Sequence, residues 1–182
     1  EFRNKFIYEN DEIKIETTEI LCDSVYKDKG YKIILTKFDP NNDGDETKNN
    51  AIFILYKHVN GQYYPIYKDS IFYQFQEVKF EDFNNDNVKD ILIQHYSSAR
   101  SNLSYYLYIA DTKHDKFNKI SGFENIPNPE YLSKYRIIEG FAVAGEDWTS
   151  FYEIRGDSIR DFGIVIYDNH MKNSTYESEY KK

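Results

Sequence analysis

Apolar and polar residues alternate along most of the chain with a period of two, which is typical of strands with one buried face. Strands are predicted over residues 2–8, 12–19, 31–38, 51–59, 62–67, 72–81, 90–96, 103–110, 117–120, 136–144, 149–154 and 158–167. Asn60-Gly61 separates two of these segments and suits the two-residue turn of a β-hairpin. One short helix is predicted near 129–135, because Pro129 follows Asn128 and suits the first helical position. The pattern predicts an all-β protein of antiparallel hairpins, arranged as a β-sandwich or as an incomplete propeller.

Length and composition favour one domain. The chain has 182 residues, with 18 Tyr and 13 Phe against one Met and one Trp. Aromatic residues favour strands, and this length allows one substantial core. We expect a single β-rich domain over residues 1–168, followed by a polar C-terminal tail over 169–182. No apolar run reaches the length that a membrane-spanning helix needs.

Residues 82–90 carry the clearest candidate chemistry, and we refer to them as the metal loop. With Asp82 as position 1, the oxygen donors at positions 1, 3, 5, 7 (a backbone carbonyl) and 9 are Asp82, Asn84, Asp86, Val88 and Asp90. Ca²⁺ binds six to eight oxygen ligands, which a tight loop of alternating donors can supply. Asn87 at position 6 tolerates a left-handed backbone. We expect Ca²⁺ as a structural cofactor.

The metal loop differs from an EF-hand, because position 12 is Ile93 and a strand pattern follows. The alternative is an Asx-rich turn in which Asp and Asn side chains bind their own backbone. Crowded carboxylates repel one another without a cation, which favours calcium. A second segment from Asp39 to Asp45 begins similarly, but Thr47 stands at its position 9. That segment is interpreted as a long acidic hairpin loop, with a second calcium site as the alternative.

Charge and residue types exclude several other functions. The net charge is −8 and no basic stripe is present, so nucleic acid is not an expected partner. Cys22 is the single cysteine, which excludes an internal disulfide. The histidines lack zinc-site spacing, and no nucleophile–base motif occurs. Glu146-Asp147 is an acid pair of the kind that glycosidases use, but the chain is not expected to be an enzyme.

Residues 97–102, named here the serine loop, join two predicted strands. They are small and polar and include Arg100. Loops on a rigid sheet often form binding tips, and the alternative is an ordinary hairpin connection.

The order of motifs over about residues 72–168 resembles a known family. The elements in order are the metal loop, a strand, the serine loop, Tyr-Tyr-Leu-Tyr at 105–108, a turn before Lys116-Phe117, Asn128-Pro129 and Phe151-Tyr152-Glu153. This order is similar to that of bacterial periplasmic immunity proteins related to the inhibitors of invertebrate-type lysozyme. Those proteins in turn resemble the calcium-binding FG-GAP repeats of propellers.

The resemblance implies a calcium-stabilised, non-enzymatic protein that inhibits a lysozyme-like or other cell-wall hydrolase by inserting a loop into its cleft. It also implies a periplasmic or envelope-anchored location, with a signal that is not visible in this chain. The positions nearest the family's inhibitory loop are Ser97, Ser98, Arg100 and Tyr105. Asn87 and Ala99 stand where the family usually has Gly.

Two other functions stay open from the sequence. The chain fits a calcium-braced, propeller-like binding or structural module with a protein or glycan ligand. Carbohydrate recognition would use exposed tyrosines and Trp148.

Overall fold

The computed structural model describes residues 2–9, 12–27, 29–98, 100–168 and 175–181. The strands are β1 (Phe2–Glu9), β2 (Glu12–Leu21), β3 (Tyr31–Lys37), β4 (Ala51–Val59), β5 (Gln62–Ile71), β6 (Val78–Glu81), β7 (Asp90–Ser97), β8 (Leu103–Asp111), β9 (Lys116–Lys119), β10 (Pro129–Leu132), β11 (Ile137–Ala142), β12 (Asp147–Arg155) and β13 (Ser158–Asp168). A 3-10 turn covers Phe123–Asn125, and the short helix α1 covers Tyr176–Tyr180.

The strands form three antiparallel sheets, each made of consecutive strands in chain order. The first sheet contains β1 to β5, the central sheet β6 to β9, and the third sheet β10 to β13. The predicted all-β, antiparallel fold is confirmed. Each sheet is a meander formed by one continuous segment of the chain, as in a propeller blade. Neighbouring sheets pack face to face, as in a β-sandwich.

The central sheet is buried on both faces. On one face, Ile91 and Ile93 of β7 pack with Ile33, Leu35 and Phe53 of the first sheet. On the other face, Leu92 and Leu107 belong to a second core that contains Ile138 of the third sheet. Six successive residues at the start of β7 are buried. This two-sided burial explains why the apolar residues Ile91, Leu92 and Ile93 are consecutive in β7 rather than alternating with polar ones.

The hairpin predicted at Asn60-Gly61 is confirmed. Val59 pairs with Gln62, and the two turn residues have φ angles of 50° and 83°. Positive φ at both positions is the backbone geometry whose twist matches that of the flanking strands.

The helix predicted near 129–135 is wrong. Residues Pro129–Leu132 form β10, in which Pro129 pairs with Gly140 of β11. The preceding Asn128 has a φ of 41°, and its backbone N–H donates to the carbonyl oxygen of Leu103 at 2.7 Å. A tertiary contact therefore sets the conformation here and overrides the local helix-start signal.

The strand predicted over 72–81 begins only at Val78. Before it, the Gln74 N–H donates to the His95 carbonyl of β7 at 3.0 Å, and side chains accept several of the other backbone N–H groups. Asn50 Oδ1 accepts from Tyr73 at 3.0 Å, and Gln94 Oε1 accepts from Phe75 at 2.7 Å. These bonds fix the connection between the first and central sheets.

Part of the predicted C-terminal tail packs on the third sheet. In α1, Tyr176 Oη lies 2.8 Å from Thr149 Oγ1, and the ring of Tyr180 lies 5.9 Å from that of Phe151. Residues 169–174 and 182 lie outside the described part of the chain. Neither described helix has the length and apolar character needed to cross a membrane.

Two-sided burial of β7 predicts that adjacent substitutions are both costly. Ile91→Ala and Leu92→Ala should each lower the free energy of unfolding by about 2 to 5 kcal/mol, because each opens a cavity in a different core. In β3, Ile33→Ala should lower the free energy of unfolding by a similar amount. Ile34→Ala, on the half-buried outer face, should lower it by less than half as much as Ile33→Ala. Urea denaturation measures all four. A small effect for either β7 variant would contradict the three-layer packing.

Buried tyrosines predict loss of stability at high pH. Burial raises the pKa of Tyr67 and of Tyr106 to about 12. Because these folded-state pKa values lie above the unfolded value of about 10, the neutral rings stabilise the fold fully below pH 10 and lose that contribution as pH rises towards 12. Urea denaturation between pH 8 and pH 12, with phenolate absorbance, checks this. Unchanged stability with all tyrosines titrating near pH 10 would contradict it.

Candidate functional site

The metal loop is organised around one carboxylate. The loop joins β6 to β7 just beyond the Glu81–Asp90 pair. Asp82 Oδ1 accepts the backbone N–H of Asn85 at 2.6 Å, with longer bonds from the next residue on each side, and Asp82 Oδ2 accepts that of Asn87 at 2.8 Å. Asp82 therefore holds four successive amides of the turn.

The other polar side chains complete the same turn. Asn84 Oδ1 accepts the backbone N–H of Asp86 at 3.0 Å, and Asp86 Oδ1 accepts that of Val88 at 2.8 Å. Asn84 Nδ2 also donates to Asp86 Oδ2 at 3.0 Å. Asn87 has a φ of 65°, the left-handed conformation predicted for that position. The loop thus has the hydrogen bonds of an Asx-rich turn.

The donors of the metal loop fit Ca²⁺ in part. Two carboxylates, one amide oxygen and the Val88 carbonyl belong to one short turn, which is the oxygen chemistry that calcium prefers. A carboxylate offers about four lone-pair positions. Asp82 already accepts four backbone N–H groups, whereas Asp86 accepts two N–H donors and keeps positions for a cation. Among the described residues, however, no group of three or more His, Cys, Asp or Glu side chains is gathered to hold a metal.

Asp90 is placed differently from the other acids of the loop. It is fully buried, and its two oxygens accept the backbone N–H of Phe83 at 2.8 Å and of Ala110 at 2.9 Å. Burial raises the pKa of the Asp90 carboxyl to about 7; the two N–H donors lower it, and the charges of Asp86 and Asp82 raise it. The side chain ties the end of the loop to β8, a role that the sequence pattern did not indicate.

The two predicted sites lie at opposite ends of β7. The metal loop enters this strand at Asp90, and the serine loop leaves it after Ser97. Eight strand residues at about 3.3 Å each separate the loops by about 25 Å. Any effect of a cation on the serine loop must therefore pass through the central sheet.

The serine loop is fixed to the third sheet. Asn102 Nδ2 donates to the Val143 carbonyl at 2.9 Å, and Asn102 Oδ1 accepts the Val143 N–H at 2.8 Å. Asn128 Nδ2 donates to Asn102 Oδ1 at 3.1 Å, and Asn128 Oδ1 accepts the Leu103 N–H at 2.9 Å. Two asparagines thus join the ends of β8 and β11, although they are far apart in sequence.

The predicted partner-binding residues differ in exposure. Arg100 is exposed, whereas Ser97 and Ser98 are half-buried. Ser98 Oγ is inaccessible and has no hydrogen-bond partner among the described residues. Tyr105 is only 3% exposed, and its hydroxyl accepts from Lys79 Nζ at 2.6 Å and donates to Glu77 at 2.7 Å. Only the Arg100 side chain is therefore presented to solvent as a contact residue needs to be. Ala99 lies outside the described residues.

Exposed apolar residues in the third sheet and just after β11 lie near the serine loop. Val143, which Asn102 contacts, is 39% exposed. Trp148 pairs with Ala142 on one side and with Tyr167, 53% exposed, on the other. Directly opposed residues of antiparallel strands share a face, so Trp148 and Tyr167 form one aromatic surface. Sequence reasoning had singled out Trp148 but had no signal for its pairing with Tyr167.

Two carboxylates of the acidic segment 39–45 form ion pairs with lysine side chains. Asp43 pairs with Lys37 at 2.5 Å, and Asp45 with Lys48 at 2.7 Å. These contacts agree with the interpretation of an acidic hairpin loop, here between β3 and β4.

His95 belongs to a polar cluster that sequence reasoning missed. His95 Nδ1 lies 3.1 Å from Ser104 Oγ, and His95 Nε2 lies 3.8 Å from a Glu46 carboxylate oxygen. Burial lowers the pKa of His95. Ser104 Oγ also accepts the backbone N–H of Tyr96 at 3.3 Å. The cluster therefore packs the junction of β7 and β8. His170 lies outside the described residues.

Two surface depressions lie near these features. One of about 210 Å³ lies between Tyr26 and Lys29 on one side and Val88 of the metal loop on the other. The second, of about 250 Å³, is lined by Tyr105 and Glu130. Small-molecule sites usually exceed about 300 Å³, so both depressions are small for such a ligand.

Comparisons of the chain with protein-family models, with curated proteins and with solved structures find no match.

The buried contacts of Asp90 predict a large stability loss on its removal. Asp90→Ala should lower the free energy of unfolding by about 2 to 5 kcal/mol, because the N–H groups of Phe83 and Ala110 lose their acceptors inside the protein. Asp157→Ala, in an exposed turn, is the matched control and should change it by less than about 0.5 kcal/mol. Chemical denaturation in a calcium chelator measures both. Equal effects would contradict the anchoring role of Asp90.

Proposed function

We propose that the chain is a non-catalytic binding protein, braced by Ca²⁺, whose partner is a lysozyme-like peptidoglycan hydrolase. The observation that carries the proposal is the attachment of the serine loop through Asn102 to Val143 and Asn128. A loop fixed at its base loses little conformational entropy when it binds, and an inhibitor that enters an enzyme cleft needs this property. Arg100 is the exposed side chain that such a loop would present.

Charge supports a cationic partner. The chain has a net charge of −8, with 31 acidic and 23 basic residues. A negative surface speeds encounter with a basic protein and steers its approach. Cell-wall hydrolases that are themselves basic are therefore the first enzymes to test.

Calcium would be held by Asp82, Asn84, Asp86 and the carbonyl of Val88. When bound, the cation would neutralise the crowded acids of the turn and link the end of β6 to the start of β7. Asp90, whose oxygens already accept two buried N–H groups, would support the loop from the core side. The expected role is stabilisation of the scaffold, about 25 Å from the serine loop.

Calcium binding predicts a loop-dependent rise in melting temperature. Free Ca²⁺ at about 100 times its dissociation constant should raise the melting temperature by about 5 to 10 °C. Asp86→Ala should remove this rise, because Asp86 carries an exposed carboxylate of the loop. Asp86 is preferable to Asp82, since Asp82 also holds four amides of the turn.

Calorimetric titration of Ca²⁺ and thermal melts check this expectation, with Asp157→Ala as the control that keeps the response. Mg²⁺ in place of Ca²⁺ tests the choice of cation. Absence of both heat and melting shift in the wild type would remove calcium from the proposal and leave the Asx-rich turn as the whole account of the loop.

Inhibition of a hydrolase predicts a specific role for Arg100. Arg100→Ala should weaken inhibition roughly tenfold or more, as loss of a central interface arginine does. Arg155→Ala, an exposed arginine on the β12–β13 turn, is the matched control and should inhibit normally. Muramidase assays against lysozymes of different types measure this. If no hydrolase is inhibited or bound by the wild type, the proposal fails.

A second candidate is a glycan ligand, which the Trp148–Tyr167 surface favours. Stacking of a sugar ring on paired aromatic side chains would bury apolar area without a deep pocket. A glycan array compares it with the hydrolase proposal: binding that Trp148→Ala abolishes and Arg100→Ala preserves would favour the glycan.

A further inference from the structure

Strand β1 has a free edge. It stands at the end of the first sheet, where β2 is its only neighbour among the described strands. Every residue of β1 is exposed. Along the outer side of this strand, a row of backbone N–H and C=O groups therefore faces water, and such a row is able to pair with another strand.

The side chains of β1 are unusually apolar for an unprotected edge. Phe2, Phe6 and Tyr8 lie on one face and are 59%, 38% and 60% exposed, and Ile7 on the other face is 48% exposed. The rings of Phe6 and Tyr8 are 6.2 Å apart. In the described part of the chain, the central sheet does not cover this aromatic face, and Gln76 Nε2, just before β6, donates to Asn4 Oδ1 at 3.3 Å.

We infer that β1 is a self-association surface, through which two copies of the chain pair edge to edge in antiparallel orientation. The pairing joins two five-stranded sheets into one continuous sheet across a two-fold axis. The partner is a second copy because two antiparallel copies of β1 place apolar side chains opposite each other and opposite charges opposite each other.

The complementarity depends on register. Directly opposed residues of antiparallel strands have their side chains on the same face of the sheet. The two-fold axis must therefore pass one residue of β1 that is opposed to the same residue of the second copy. An axis at Phe6 stacks two Phe6 rings and places Arg3 opposite Glu9 of the second copy, twice. An axis at Lys5 would instead oppose two like charges. An axis at Ile7 would also oppose Lys5 and Glu9, but within the described strand it pairs only residues 5–9 of each copy, two fewer than the 3–9 paired about Phe6.

The interface is small, so the association should be weak and reversible. Strand pairing of seven residues on each side buries less than the roughly 1,200 Å² of stable protein complexes. The weight-average mass should therefore rise from monomer towards dimer as concentration increases into the range of about 100 µM.

Charge exchange tests the partner and the register together. Arg3→Glu and Glu9→Arg should each weaken dimerisation roughly threefold to tenfold, because each places two like-charged pairs across the interface. The double variant Arg3→Glu, Glu9→Arg should restore it. Lys68→Glu on β5 is the matched control and should dimerise as the wild type does. Analytical ultracentrifugation measures the constants, and a double variant as weak as the single ones would overturn the register.

Cross-linking provides a second readout. Cys22 is 1% exposed, so the wild type should give little background with a short thiol cross-linker. Phe6→Cys should cross-link strongly, since the two positions face each other about 5 Å apart. Phe2→Cys should not, since its copies lie about 26 Å apart. Tyr64→Cys, on the opposite edge of the first sheet, is the matched control.

A monomer at every concentration, with Phe6→Cys cross-linking no more than Tyr64→Cys, would overturn the inference. In that case the free edge of β1 would be available to pair with a strand of a different protein. Stronger cross-linking of Ile7→Cys than of Phe6→Cys would overturn the proposed register. Neither outcome bears on calcium or on hydrolase inhibition, because β1 belongs to neither loop.

Discussion

The central sheet is buried on both faces, and the rest of the structure depends on this constraint. Its strands β7 and β8 are largely buried on both faces, so most polar groups along them need hydrogen-bond partners inside the protein. Asp90 meets this need where β7 begins, through the N–H groups of Phe83 and Ala110. Farther along the strand, Gln94 Oε1 accepts the backbone N–H groups of Gln74 and Phe75. The first and third sheets then cover the two faces, and both candidate loops emerge from the ends of β7.

In the proposed function, this arrangement would place stabilisation by a cation and recognition of a partner at different ends of β7. The metal loop is attached to the core through Asp90, whereas the serine loop is attached to the third sheet through Asn102 and Asn128. A cation at the first loop would make β6 and β7 harder to separate without touching the second. The attachment of the serine loop at Asn102 consists of hydrogen bonds to Val143 and Asn128, which are distant in sequence.

Much of the fold follows from local sequence, because period-two alternation and turn residues act over a few positions. The hairpin at Asn60-Gly61 is an example, and the bounds of β4 are those predicted. Local signals were insufficient where tertiary contacts determine the backbone conformation. Asn128 suggested a helix start, yet its hydrogen bond to Leu103 places it before a strand. For the candidate site, the sequence located the loops and the left-handed Asn87. It did not show that Asp90 and Tyr105 point into the core, since this depends on which strands pair across the sheets.

Hydrogen–deuterium exchange with and without Ca²⁺ tests the central claim most directly, since it reports each segment separately. The account predicts that Ca²⁺ slows exchange at the amides of residues 84–88, which surround Asp82, and at those of β6 and the start of β7. Exchange in the serine loop should stay the same, because it lies at the far end of the strand. Identical exchange throughout the chain at millimolar Ca²⁺ would contradict the account, and so would a change confined to residues 97–102.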